Sequence, residues 1–189
     1  MRLFVAADPP LPAVQDLERG LRHQGLPGGR PDLCWVPAAQ WHLTLAFLGE
    51  VDEDRIEELC LRLARAATRH PPLPARICAT GTFGPAARAR VLWAGIDCDR
   101  LALRRLAESV RAAARRSGID IATGRFHPHV TLARARQPSD LTDCTAAMAG
   151  YHGPAWAVDA VRLVRSSLGA GAAGRPVHET VRRWPLRGG

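Results

Sequence analysis

The sequence predicts an α+β fold built on antiparallel or mixed sheets, and three observations predict it. Strand-like runs follow one another with no crossover helix between them, which an all-parallel sheet does not allow. Amphipathic helical stretches separate other runs. A phrase of His, apolar residue, Thr and Leu occurs twice, as His42-Leu43-Thr44-Leu45 and His129-Val130-Thr131-Leu132. The copies stand 87 residues apart (129 − 42 = 87), too far for a solenoid repeat and suited to one doubling of a small α/β lobe.

Taken in order, Arg2 to Ala7 reads as a strand, Asp8-Pro9-Pro10 as a turn and helix entry, and Val14 to Leu21 as a short helix. Gly25 to Pro31 is a Gly/Pro loop. Trp35-Val36-Pro37 leads into the strand Trp41 to Leu48, closed by Gly49. From Asp52 to Thr68, apolar residues recur at helical spacing, with acids in the first turn and arginines toward the end to complement the helix dipole. Ala75 to Phe83 and Ala89 to Ile96 read as two strands joined through Gly84-Pro85. Leu101 to Arg116 is an amphipathic helix capped by Gly118, with Leu103, Leu106, Val110 and Ala113 on one stripe. A turn at Thr123-Gly124 precedes the strand His129 to Arg134. Leu141 to Met148 is a short helix, and Trp156 to Ser166 and His178 to Leu186 are strands separated by the Gly/Ala-rich loop 169–174.

Composition narrows the function classes. With 189 residues and 47% hydrophobic content, the chain suffices for one sizeable core or two small lobes sharing one. Its apolar opening is broken by Asp8, Pro9 and Pro10 before a membrane span or secretory segment is complete, so a cytoplasmic protein without a membrane partner is expected. The five cysteines are scattered without metal-finger spacing and read as reduced, apolar side chains. The formal charge of +8 favours anionic partners. All of the cations are arginine, whose planar donor fork matches phosphate oxygens, although most serve as a solubilising surface.

Along a strand, alternate side chains share a face, so His42 and Thr44 look one way and Leu43 and Leu45 the other. Two such polar pairs facing each other surround one small acidic group with two imidazoles and two hydroxyls. Displacement at phosphorus needs that set: a base for the nucleophile, an acid for the leaving oxygen and neutral donors for the remaining oxygens. His titrates near neutral pH, so one ring starts neutral and the other charged. The sequence leaves the order open, with a slight preference for His129 as base and His42 as acid. Arg134, directly after the second motif, is the first choice for a groove cation, ahead of Arg125 and Arg90. Phe4 and Phe47 suit base stacking or core packing, whereas Trp41 and Trp93 read as core. His127 and His129 flank Pro128 with no nearby Cys or acid, which favours a structural or phosphate-side role over a metal. His23, His70 and His152 read as solvated.

Together with their flanking segments Arg2-Leu3-Phe4-Val5-Ala6, Trp35-Val36-Pro37, Arg90-Val91-Leu92-Trp93 and Trp184-Pro185-Leu186, the two motifs resemble the two-histidine phosphoesterase superfamily. Within it the chain is most similar to the RNA 2′,3′-cyclic phosphodiesterase, or 2′-5′ RNA ligase (LigT-like), family. That resemblance implies one domain over residues 1–189, made of two intertwined, pseudo-symmetric lobes whose antiparallel sheets set the HxT motifs facing a central groove. It implies hydrolysis of a 2′,3′-cyclic phosphate on RNA or a nucleotide, transfer-RNA fragments included, to a 2′-phosphate, without metal or other cofactor, by a monomer. His42 and His129 would be the acid/base pair and Thr44 and Thr131 the phosphate donors, with Arg134, Phe4 and His127 as further substrate contacts. Ligation or cleavage of 2′-5′ linkages, or RNA-end binding without catalysis, are the alternatives. The chain departs from the family pattern at Cys34, where relatives often carry Arg, at His127, and at His178, where the family has Tyr.

Overall fold

The computed structural model describes residues 1–27, 29–121, 124–171 and 176–188. Among the described residues, nine strands, β1 (Arg2–Ala7), β2 (Leu33–Trp35), β3 (Leu43–Glu50), β4 (Leu73–Thr82), β5 (Ala89–Cys98), β6 (His129–Ser139), β7 (Trp156–Val158), β8 (Ala160–Ser167) and β9 (Val177–Pro185), form one curled antiparallel sheet in the order β7-β4-β5-β6-β3-β1-β8-β9, with β2 beside β6. The α-helices of the described residues, α1 (Leu11–His23), α2 (Ile56–Ala67), α3 (Arg100–Arg116) and α4 (Thr142–Ala147), complete the α+β architecture. No helix among the described residues is long and apolar enough to cross a membrane.

The 87-residue offset between motifs runs through the whole fold. It carries the first residue of β1, Arg2, to Ala89 at the start of β5, and the first residue of β4, Leu73, to Ala160 at the start of β8. The chain is thus a doubled β-α-β-α-β unit whose last strands are exchanged. β4 pairs with β5 of the second copy, and β8 pairs with β1 of the first. The half-sheets meet at the motif strands through one residue pair, Leu43↔Val130.

Local sequence accounts for the helix limits. Pro12 lies in the first turn of α1, where its missing N–H costs nothing, and Ala13, Leu17 and Leu21 form its buried stripe. Asp99 caps α3 by accepting from the backbone N–H groups of Leu101 (2.9 Å) and Ala102 (3.0 Å), and Gly118 ends it with φ +71°. The core lies between the sheet and the helices, with Leu43, Leu45, Val130 and Leu132 at its centre. Trp41 joins it, as expected.

Some expectations need correction. The first helix is longer at both ends than Val14 to Leu21: it starts directly after its N-cap Pro10, with Pro12 tolerated in the first turn, and runs on through Arg22 and His23, basic residues that suit its C-terminal end. The segment from Asp52 begins with a 3-10 turn at Glu53–Arg55 before α2. Trp156 to Ser166 is two strands broken at Asp159: β7 pairs with β4 and β8 with β1 and β9, on opposite margins of the sheet. The second motif strand runs past Arg134 to Ser139, which pairs with Ala89, and Leu33–Trp35 is an additional strand. Thr123 and residues 172–174, assigned to turn and loop, lie outside the described residues.

Candidate active site

The pairing Leu43↔Val130 sets the site. In an antiparallel register it puts His42 across from Thr131 and Thr44 across from His129, all four pointing away from the core that takes Leu43, Leu45, Val130 and Leu132. The four side chains therefore share one face of the sheet at the seam where its two halves meet. The flanking strands keep that space open with small residues: Ala6 pairs with Thr44, and Gly95 pairs with His129.

The two imidazoles are held in the same way. His42 Nδ1 lies 2.7 Å from the carbonyl oxygen of Gln40, and His129 Nδ1 lies 2.7 Å from that of His127. A carbonyl oxygen only accepts, so Nδ1 carries the proton and Nε2 is left as the exchanging nitrogen in both rings. Burial lowers the pKa of both. His42 is pushed down to about 4, mainly by burial and further by His178 and Arg162, against its bond to Gln40 and the charge of Asp8. His129 is lowered by burial first, then by His127 and Arg134, against its bond to the His127 carbonyl. Both rings are therefore neutral at neutral pH in the free protein, and a bound anion opposes that shift.

Each ring also sits in an aromatic box with a second histidine. Phe4 stacks on His42 at 4.8 Å, and His178 meets both edge-on, at 5.1 Å from Phe4 and 5.4 Å from His42. On the other side Phe83 stands edge-on to His129 at 5.0 Å, and Trp93 lies 4.6 Å from His127. Phe4 is only 4% exposed, so it offers no face to a base and supports His42 instead. Phe47 (63% exposed) and Phe83 (47%) line a cavity of about 270 Å³ with Thr44, His127 and His129. His42 and Thr131 lie outside that lining.

Arg134 reaches the site face through a bulge. Leu92 pairs with Ala133 and Trp93 with Thr131, so one extra residue in β6 turns Arg134 to the same side as Thr131. Exposed Cys34 lies directly across from Arg134, and Arg90 is outside both cavities that adjoin the motifs. Sequence reasoning missed Arg162. It pairs with Ala6, one strand beyond Thr44, and is tied down by Asp8 at 2.6 Å and Thr180 at 3.0 Å. Its signal was an arginine between Val161 and Leu163, an alternation that sends it to the polar face. Trp93, read as core, is only half-buried and lines the groove. No three His, Cys, Asp or Glu side chains among the described residues cluster as metal ligands.

Comparison with known proteins fits this geometry. A family model for the 2′-5′ RNA ligase superfamily matches residues 8–170. The chain belongs to that superfamily. This superfamily member is 34% identical over 188 residues to the RNA 2′,3′-cyclic phosphodiesterase of Escherichia coli K12, covering 98% of this chain and 96% of that protein. It is 30% identical over 164 residues to the RNA 2′,3′-cyclic phosphodiesterase of Geobacillus stearothermophilus, covering 84% of this chain but about half (49%) of that protein. Among solved structures, TT0787 of Thermus thermophilus superposes with a TM-score of 0.78 at 31% identity, covering 100% of this chain and 99% of that one. LigT of E. coli complexed with 3′-AMP gives 0.76 at 31% identity, covering 98% and 97%. The LigT-like fold expected of the superfamily is the fold observed.

Proposed function

We propose that the chain hydrolyses 2′,3′-cyclic phosphate ends of RNA or nucleotides to 2′-phosphates, with His42 and His129 as the general acid and base and without a metal. It is an enzyme of the RNA 2′,3′-cyclic phosphodiesterase type, as its relatives are named. The observation that carries the mechanism is the matched state of the two rings: each is held by a backbone carbonyl at Nδ1, with Nε2 left to exchange a proton.

In this reading one neutral imidazole takes a proton from water as its oxygen attacks phosphorus. The phosphodiester anion favours the charged form of the other ring, which gives its proton to ribose O3′ as the P–O3′ bond breaks. Thr44 and Thr131 donate hydrogen bonds to the two non-bridging oxygens, and Arg134 and Arg162 supply positive charge beside them. His127 and His178 hold their partner rings in place. Because both catalytic rings share one tautomer, either can serve either end of the reaction, which also suits joining and cleavage of 2′-5′ linkages on the same site. The enzyme acts as a monomer in the cytoplasm in this proposal.

The test is incubation with a nucleoside 2′,3′-cyclic phosphate in excess EDTA, followed by identification of the product. A nucleoside 2′-phosphate is expected. A 3′-phosphate, or an activity lost to the chelator and restored by added metal, refutes the mechanism.

A further inference from the structure

A second cavity, of about 820 Å³, opens beside the first, from Trp93 and His127 along the end of β5 to the first half of α3. It shares Arg111, Arg125, Phe126 and His127 with the cavity that holds Thr44 and His129, so the two adjoin and one ligand chain can reach from one into the other. A volume of this size takes a ligand of drug dimensions, or about two nucleotides.

Its lining is unevenly charged. Arg100, Arg104, Arg111 and Arg125 face it against two carboxylates, Asp97 and Glu108. Glu108 is already engaged, by Arg111 at 3.1 Å and Arg115 at 3.8 Å. Among the described residues, Arg100, Arg104 and Arg125 have no carboxylate within ion-pair distance. Arg100 and Arg104 stand one helical turn apart, so their side chains reach the same side of α3, while Arg125 approaches from the segment that leads into β6. Trp93 and Phe126 add aromatic surface to the lining. Guanidinium forks match phosphate oxygens, and aromatic faces accept bases with little preference among them. An acidic peptide would satisfy the arginines alone; the aromatic surface and the continuity with a phosphodiester site select a polynucleotide.

We propose that this cavity is a polynucleotide subsite that holds the phosphodiester backbone on the 5′ side of the reacting end, with Arg100 and Arg104 on successive phosphates and Arg125 at the junction with the catalytic cavity. The proposal rests on the phosphodiesterase reading above and adds a selectivity to it: the enzyme distinguishes an RNA strand from a mononucleotide.

The experiment compares a nucleoside 2′,3′-cyclic phosphate with a tetranucleotide carrying the same end, using wild type, the double variant R100A/R104A, and R105A. Arg105 is exposed on the same helix but outside the cavity, so its variant controls for lost charge. Wild type should show kcat/KM about tenfold higher on the tetranucleotide. R100A/R104A should lose about that factor on the tetranucleotide alone, the effect of losing charge-assisted contacts, while R105A keeps it. Two phosphate contacts to a single strand give a slope of about −1.4 for log kcat/KM against log salt, which the double variant should flatten. Equal losses on both substrates, a matching loss in R105A, or competition by oligoglutamate as strong as by RNA overturns the subsite. If wild type hydrolyses neither substrate, the phosphodiesterase reading fails. The subsite is then judged by anisotropy with a labelled tetranucleotide ending in a 2′-phosphate: binding about tenfold weaker in R100A/R104A supports it, and unchanged binding rejects it.

Discussion

Replacing His42 with glutamine should remove a specific pH dependence of folding. In the unfolded chain its imidazole titrates at 6.5, whereas burial in the folded protein pushes it down to about 4. The folded state therefore holds this ring neutral where the unfolded chain takes up a proton. The stability it confers is complete above pH 6.5 and is lost as pH falls from 6.5 toward 4. At about 1.4 kcal/mol per pH unit, that window is worth about 3 kcal/mol, and about 2–3 kcal/mol of it is gone by pH 4.5. His70, His127, His129 and His178 are lowered too, so wild type loses stability on acidification for several reasons of the same sign. The difference between wild type and H42Q isolates one of them. Urea unfolding at pH 7.5, 5.5 and 4.5 is the assay, with the variant gaining about 2–3 kcal/mol on wild type between the extremes. Curves that run parallel within about 0.5 kcal/mol would refute the burial argument. Proton NMR gives the direct check: the His42 ring should titrate near pH 4 in the free protein and higher once inorganic phosphate is bound.

Three further predictions concern the groove. His42→Ala or His129→Ala should each lower kcat by about 10²- to 10⁴-fold with the fold retained by circular dichroism, and the wild-type kcat/KM profile should be a bell centred below pH 6.5, since burial lowers both rings; wild-type-like rates in both variants would end the acid/base assignment. Gly81→Ala should damage the site from a distance: its Cβ would stand 2.3 Å from the Trp93 ring, which lies 4.6 Å from His127. The indole must shift by about 1 Å, which should cost about 1–3 kcal/mol in urea unfolding and up to about 10²-fold in kcat/KM; unchanged values in both would show that the ring has room to move.

Most of the architecture is legible in the sequence because alternation and helical spacing are local. The motifs show which residues share a face, and Leu43 and Val130 in the core put His42, Thr44, His129 and Thr131 on the other side. What the sequence hides depends on which strands become neighbours. Trp93 is apolar and sits in an alternating run, so it reads as core until Thr131 and Gly81 are known to flank it. Arg162 joins the site only because β8 pairs with β1 as well as with β9, its neighbour in sequence. Arg134 depends on a single bulge in β6, without which the alternation would turn it away. Phe4 shows the reverse: an aromatic residue near the motifs suggests a ligand contact, yet its place under His42 closes it off.

The exchanged strands have a consequence for how this protein can be divided. Cutting the chain between α3 and β6 leaves one piece holding β4 and β5 without their motif partner β6, and β1 and β3 without the margin formed by β8 and β9. Neither piece has a self-sufficient interior, so the two would become ordered only on meeting, as complementing fragments. By the same logic, an ancestor encoding a single unit would have worked as a pair of chains trading their last strands, and fusion of the two genes would have turned that dimer's contact surface into the groove of one enzyme.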